Sequence, residues 1–187
     1  MGTFAHITIE HFDELLYNNK AQYEKEVHSM YRVVSDFTSE WANASHGTQA
    51  VLDALTDDTL NKAIVEGHST LGWLGWHLAT CPMFFIGKAA GIALTPVGNP
   101  AEVPTSAKTI ADAYKAISAE ITEKVAALSD EDLLEELPFI KGPTPRGAIL
   151  RMFIDHQTHH RGQMTVLLRQ AGLAVPPVMG PTKEMQQ

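Results

Sequence analysis

The stretch LRMFIDHQTHHRGQMTVLL, Leu150 to Leu168, decides how this chain is read. Leu150, Phe153, His156, His160, Met164 and Leu167 recur at three- and four-residue intervals, the period of one helix face. The spacing predicts a helix whose inward stripe carries two imidazoles, and it does not fit the alternation of a strand. Just upstream, in KGPTPRGAIL, Thr144 is the expected N-cap and Pro145 the first helical residue, where a missing N–H does no harm. Downstream, the helix should run to about Ala171, with Gly172 as its stop and VPPVMGP as a tail.

The same period recurs along the chain. Val27, Tyr31, Val34, Phe37 and Trp41, then Val51, Leu52 and Leu55, predict a long first helix with a break near NASHG, Asn43–Gly47. A short helix is expected before it, near Glu10–Tyr17. In LTDDTL, Thr56 or Asp57 is placed to cap a short helix. A second long helix opens at about Ser69, with Trp73, Leu74, His77, Leu78, Cys81, Phe84 and Phe85 on its stripe and Pro82 set to kink or restart it. Gly91 to Pro104, with three prolines and two glycines, is a crossover loop. Ile110, Tyr114, Ile117, Ile121, Val125 and Leu128 mark a third helix from about Ser106, and SDEDLLEEL a short extra one. Alternating Val/Ile/Thr runs are absent. The expected fold is all-α: a four-helix bundle with short extra helices, one domain over residues 1–187, with 1–22 as an N-terminal extension.

Composition narrows the function. The chain has 187 residues, 44% hydrophobic and 19% charged, which is ordinary globular material. Cys81 is the only cysteine, so no intrachain disulfide forms and a cytoplasmic home is expected. No secretory signal is visible at the N-terminus. Leu71–Gly87 lacks Asp, Glu, Lys and Arg over 17 residues, yet a membrane helix needs roughly 20 and this one holds Pro82 and three glycines; a buried core helix is expected. The net charge of −8 argues against nucleic-acid binding. Residues 141–170 nevertheless carry five Lys/Arg against Asp155 alone, a balance that suits a small anionic substrate.

His156 and His160 stand one turn apart on one face, the spacing that lets two imidazoles share a metal ion. A third ligand should come from another helix, and His77, on the apolar stripe of the second, is the candidate. Three neutral nitrogens leave a coordination position open, as in catalytic zinc sites. His159 is rotated by roughly 100° from His160 and is left out of the ligand set. Asp155 and Gln163 are candidates to orient ligands, and Arg151 or Arg161 to hold a substrate carboxylate. A buried hydrogen-bonded network is the alternative account of the histidines, and a small core residue that of Cys81.

With STLGWLGWHLA (Ser69–Ala79) on the second helix and DHQTHHRGQ (Asp155–Gln163) on the last, the chain resembles the DinB/YfiT-like superfamily of metalloenzymes. VLDALTDDTL (Val51–Leu60) supports the match, which runs from about Val27 to Gly180. The resemblance implies a four-helix bundle, often a homodimer, with a divalent metal on His77, His156 and His160. Similar proteins include bacillithiol transferases and mycothiol-dependent maleylpyruvate isomerase. The segment before Val27 and the His46–Gly47 interruption depart from the family pattern.

The leading expectation is a metal-dependent enzyme, with zinc or nickel, that turns a low-molecular-weight thiol, an anionic one included, on an electrophile in detoxification or stress response. A hydrolase using metal-activated water is a second reading, weakened because no Glu stands between the ligands. A non-catalytic metal-binding stress protein, its open position plugged by Cys81 or His159, is the third. No membrane partner is expected, and no catalytic residue is assigned beyond the ligands.

Overall fold

The computed structural model describes residues 30–140 and 142–186. The expected short helix near Glu10–Tyr17 and the extension over 1–22 lie outside these residues.

Val33 is extended, and the chain turns helical at Val34, whose N–H donates to Asp130 Oδ1 at 2.8 Å across the fold. The first helix, α1, spans Val34–Asp53. It starts later than the expected Val27 because Tyr31 N–H is engaged elsewhere, donating to Gly147 O at 3.2 Å. No break occurs at Asn43–Gly47. Gly47 is buried against Val178, and Thr48 Oγ1 donates back to Ala44 O, so tertiary packing overrides the weak helix propensity of that stretch.

Thr56 and Thr59 form a capping box on a single 3₁₀ turn, Asp57–Thr59, as LTDDTL suggests. Asp57 has a second task, accepting from Ala107 N–H at 2.7 Å and so capping a different helix. The helix α2, Leu71–Thr80, is capped by Thr70, whose Oγ1 accepts from Trp73 N–H. Pro82 cannot donate, and beyond it the chain widens into a π-helical segment, Met83–Ala89. The wider turns bring Phe85 against Phe153 and His156 while Phe84 stays exposed, contrary to its expected inward position.

After the crossover loop, α3 (Ala107–Ala126) presents Ile110, Tyr114, Ile117, Ile121 and Val125 fully buried. A 3₁₀ turn, Glu131–Leu134, leads into an antiparallel ribbon of β1 (Glu136–Phe139) and β2 (Gly142–Pro145). This ribbon was not expected. Pro138 faces Pro143 in it, and prolines leave a ladder short of donors, so the segment carries no strand signature. Thr144 belongs to β2, which makes Pro145 the N-cap and Arg146 the first residue of α4, Arg146–Gln170. Gly172 ends α4 at φ 76°, a left-handed conformation that glycine adopts without strain.

The core lies where the four helices face one another. Trp41 of α1 is fully buried, 5.1 Å from the Phe153 ring of α4, and its Nε1–H donates to Ser118 O of α3. The tail is ordered: Val175 is buried, Thr182 Oγ1 donates to Val175 O, and Arg169 pairs with Glu184 at 2.9 Å. The structure is thus a helical bundle with one small ribbon. No helix among the described residues is long and apolar enough to cross a membrane.

Candidate metal centre

Two helices bring the histidines together. α2 supplies His77 and α4 supplies His156 and His160, and the three rings lie 4.5 to 4.9 Å apart by centroid. Nε2 of His77 and Nε2 of His160 are each 3.2 Å from Nε2 of His156. Two nitrogens bound to one ion at ~2.05 Å with a tetrahedral angle stand about 3.3 Å apart, so the spacing fits a shared metal.

The rings sit on the shoulder of the bundle rather than at its centre. The deepest line on α4 runs through Phe153, Gln157, Arg161 and Met164, while His156 and His160 are half-buried beside it. Sequence reading placed the imidazoles on the inward stripe and passed over Gln157, which is fully buried. The signal was present: Gln157 and Arg161 stand on the same i, i+4, i+7 line as Phe153, Met164 and Leu168, where a polar side chain needs partners.

Burial is the main influence on the rings, joined by repulsion from neighbouring imidazoles at His77 and His156 and opposed by the Gln163 hydrogen bond at His160. It pushes the pKa of His77 down to about 4 and that of His156 to about 3, with His160 lowered as well. All three are therefore neutral at pH 7, the form that binds a metal. The same shifts give the stability of the metal-free protein a sign. The unfolded chain, with imidazoles near 6.5, takes up protons before the folded one, so stability is retained above about 6.5 and lost as pH falls towards 4. Thermal melts of chelated protein should show that decline. In the double variant His77→Gln, His156→Gln the decline should flatten; an equal slope in both proteins would refute this origin.

Cys81 adjoins the rings. Among the described residues, His77, Cys81 and His156 form a group whose donor atoms all lie within 4.8 Å of one another, and this group can hold a metal ion. Its sulfur is 3.7 Å from His156 Nδ1, the nitrogen opposite the one facing His160. His160 stands outside that group, its Nε2 lying 3.2 Å from the shared His156 Nε2.

The remaining candidates divide by face. Gln163 Oε1 is 2.9 Å from His160 Nδ1, and Gln163 Nε2 is 3.2 Å from His159 Nε2. An amide oxygen only accepts, so His160 carries its proton on Nδ1 and presents a bare Nε2 towards His156. His159 is exposed and reaches the site only through Gln163 and a ring edge 4.9 Å from His160. Asp155 is ion-paired with Arg151, which also holds Glu40 at 2.7 Å and Tyr31, on the side of α1. Arg161 is buried and donates to Ala44 O at 2.9 Å and to Thr48.

The basic balance of residues 141–170 therefore has a structural use. Arg146 binds Glu135 and Ala90 O, Arg169 binds Glu184, and Arg151 and Arg161 bind α1, so each of these arginines already has a protein partner. What stands beside the rings instead is Trp73, stacked on His77 at 4.9 Å and 5° and still 41% exposed. Its expected place was the buried stripe; it forms the rim.

Comparison with known proteins bears on the family and the fold. The DinB family model matches residues 30–187. The chain belongs to the DinB family. This DinB-family protein is 40% identical over 159 residues to the uncharacterized protein YrdA of Bacillus subtilis strain 168, covering 83% of the chain and 93% of that protein. The crystal structure of a DinB-like protein from Bacillus cereus ATCC 10987 superposes with a TM-score of 0.75 at 40% identity, covering 79% of this chain and 98% of that one. A DinB-like protein of Bacillus subtilis, YjoA, shares the fold at 19% identity with a TM-score of 0.62, covering 78% of this chain and 99% of its own.

Proposed function

We propose that this DinB-family protein is a divalent-metal-dependent enzyme that promotes attack of a low-molecular-weight thiol on an electrophile, in detoxification or stress response. His77, His156 and His160 are the proposed ligands, and zinc or nickel the proposed ion. The observation that carries this reading is the 3.2 Å approach of two Nε2 atoms to the Nε2 of His156. With the His160 proton held on Nδ1 by Gln163, its Nε2 lone pair faces His156 Nε2 at 3.2 Å, an approach that needs either a proton or a metal cation between the two nitrogens.

Bound there, a divalent ion with three neutral ligands supplies positive charge that favours the thiolate form of a ligand thiol at neutral pH. The chain's own residues do the rest. Gln163 orients His160, and Phe85, 4.9 Å from the His156 ring, excludes water from the inner side. Trp73 offers an exposed aromatic face at the outer edge, where a flat electrophile can stack. Hydrolysis is disfavoured because Asp155, the nearest candidate base in sequence, is paired with Arg151. A non-catalytic metal-binding role is the second reading, favoured by the group of His77, Cys81 and His156, in which the buried thiol would itself be a ligand.

The test is a panel of low-molecular-weight thiols with a chromogenic electrophile, using protein loaded with zinc or with nickel. Metal-dependent conjugation faster than in buffer is expected, and Trp73→Ala should raise KM for an aromatic electrophile several-fold, an effect of about 1 kcal/mol. No acceleration with any thiol would sink the enzymatic reading. Ester cleavage without thiol would favour the hydrolase.

A further inference from the structure

The sulfur of Cys81 lies between three groups whose hydrogen-bonding roles can be worked out in turn. Leu78 O only accepts, so the end of the Gln157 amide that faces it is Nε2, and Oε1, 3.2 Å from the Tyr114 hydroxyl, accepts from it. Gln157 Nε2 therefore faces inward, donating to Leu78 O at 3.3 Å and to Cys81 Sγ at 3.5 Å. The thiol has one proton, and the carbonyl of Leu78, 3.8 Å from Sγ, is an acceptor with nothing to donate. With its S–H on Leu78 O, the sulfur meets both Gln157 and His156 Nδ1 as an acceptor. His156 must then carry its proton on Nδ1, which leaves Nε2 bare towards His77 and His160.

We infer that Cys81 is not a ligand but the buried hydrogen-bond acceptor that holds His156 in its Nδ1–H tautomer, with Gln157 and Tyr114 as the positioning residues that keep the thiol in that role. Metal-binding histidines ordinarily donate their second ring N–H to a carboxylate or carbonyl, which sets ring orientation. Here a thiol takes that place, at a depth where an unpaired carboxylate would be costly. One turn beyond Gln157 on the same buried line of α4, Arg161 ties the helix to α1 through Ala44 O and Thr48 Oγ1.

The inference rests on the three-histidine reading for its consequence but can be tested apart from it. In long-range ¹H–¹⁵N spectra of the zinc-loaded, ¹⁵N-labelled protein, His156 should show a protonated Nδ1 and a metal-bound Nε2. Cobalt-loaded protein should lack a thiolate-to-metal charge-transfer band, and Cys81→Ala should bind zinc about 10–100-fold more weakly. A metal-bound Nδ1, or a thiolate band lost in Cys81→Ala, would make the cysteine a ligand and overturn the inference. Unchanged zinc affinity in Cys81→Ala would overturn it as well. If His160→Ala holds zinc as tightly as the parent, the three-histidine reading fails instead. The tautomer of His156 in metal-free protein then decides the inference alone: Nδ1–H upholds it and Nε2–H overturns it.

Discussion

Replacing His160 with alanine is expected to bring thiol conjugation down to the rate in buffer while leaving the chain folded. The loss should exceed the roughly 10–100-fold that removal of an outer partner costs, because His160 is proposed to hold the ion itself. The fold should survive because the ring is half-buried on the shoulder of α4, where its neighbours are the other imidazoles, Trp73 and Gln163. The fully buried line through Phe153 and Gln157 is untouched. A stability change of about 1 kcal/mol is expected, small enough for the variant to melt cooperatively. Circular dichroism melts beside conjugation rates separate the two effects. A folded variant that conjugates as fast as the parent would remove His160 from the site.

The largest effect on stability should come from a position far from the chemistry. Gly147, in the first turn of α4, passes directly under the segment that leads into α1. A Cβ there would fall inside the van der Waals envelope of Tyr31 O and lie 3.3 Å from Leu133 O. Both are backbone atoms, which cannot rotate away. Gly147→Ala must therefore displace the start of α4 from the 30–33 segment and break the Tyr31 N–H to Gly147 O bond. A cost of about 3 kcal/mol, the upper end for overpacking, is expected. For a chain of this size that lowers Tm by roughly 6–12 °C. An alanine variant within a degree or two of the parent would show that the two segments can part freely.

Much of this molecule is legible in its residue order, for reasons that differ from place to place. The stripe of Ile110, Tyr114, Ile117, Ile121 and Val125 reads directly as α3 because every one of these side chains is buried on one face. Gly172 ends α4 for a local conformational reason, and the π segment follows Pro82, which cannot donate. The failures have a common cause in contacts between distant segments. The break expected at Asn43–Gly47 vanishes because Val178, far along the chain, packs there. The ribbon formed by β1 and β2 is held by pairing between proline-rich pieces that look like loop.

The site divides in the same way. The proposed ligands His77, His156 and His160 are picked out by periodicity, which gives the face but not the depth, and their rings lie on a shoulder rather than on the central line. The arginines show the limit of reading charge from composition. Five basic residues against one acid suggest an anion site, yet Arg146, Arg151, Arg161 and Arg169 are used to tie α4 to the 3₁₀ turn, to α1 and to the tail. Three of their acidic partners, Glu40, Glu135 and Glu184, lie outside residues 141–170. Gln163 is the outer partner that sequence did suggest, three residues beyond His160.

The most direct test of the account is the metal content of untagged protein purified without added metal, measured by mass spectrometry beside His77→Ala and His160→Ala. About one ion per chain in the parent, lost in both variants, is the predicted result. A folded parent that carries no metal and takes up neither zinc nor nickel would contradict it, leaving the three imidazoles a hydrogen-bonded network with a proton where the ion is proposed.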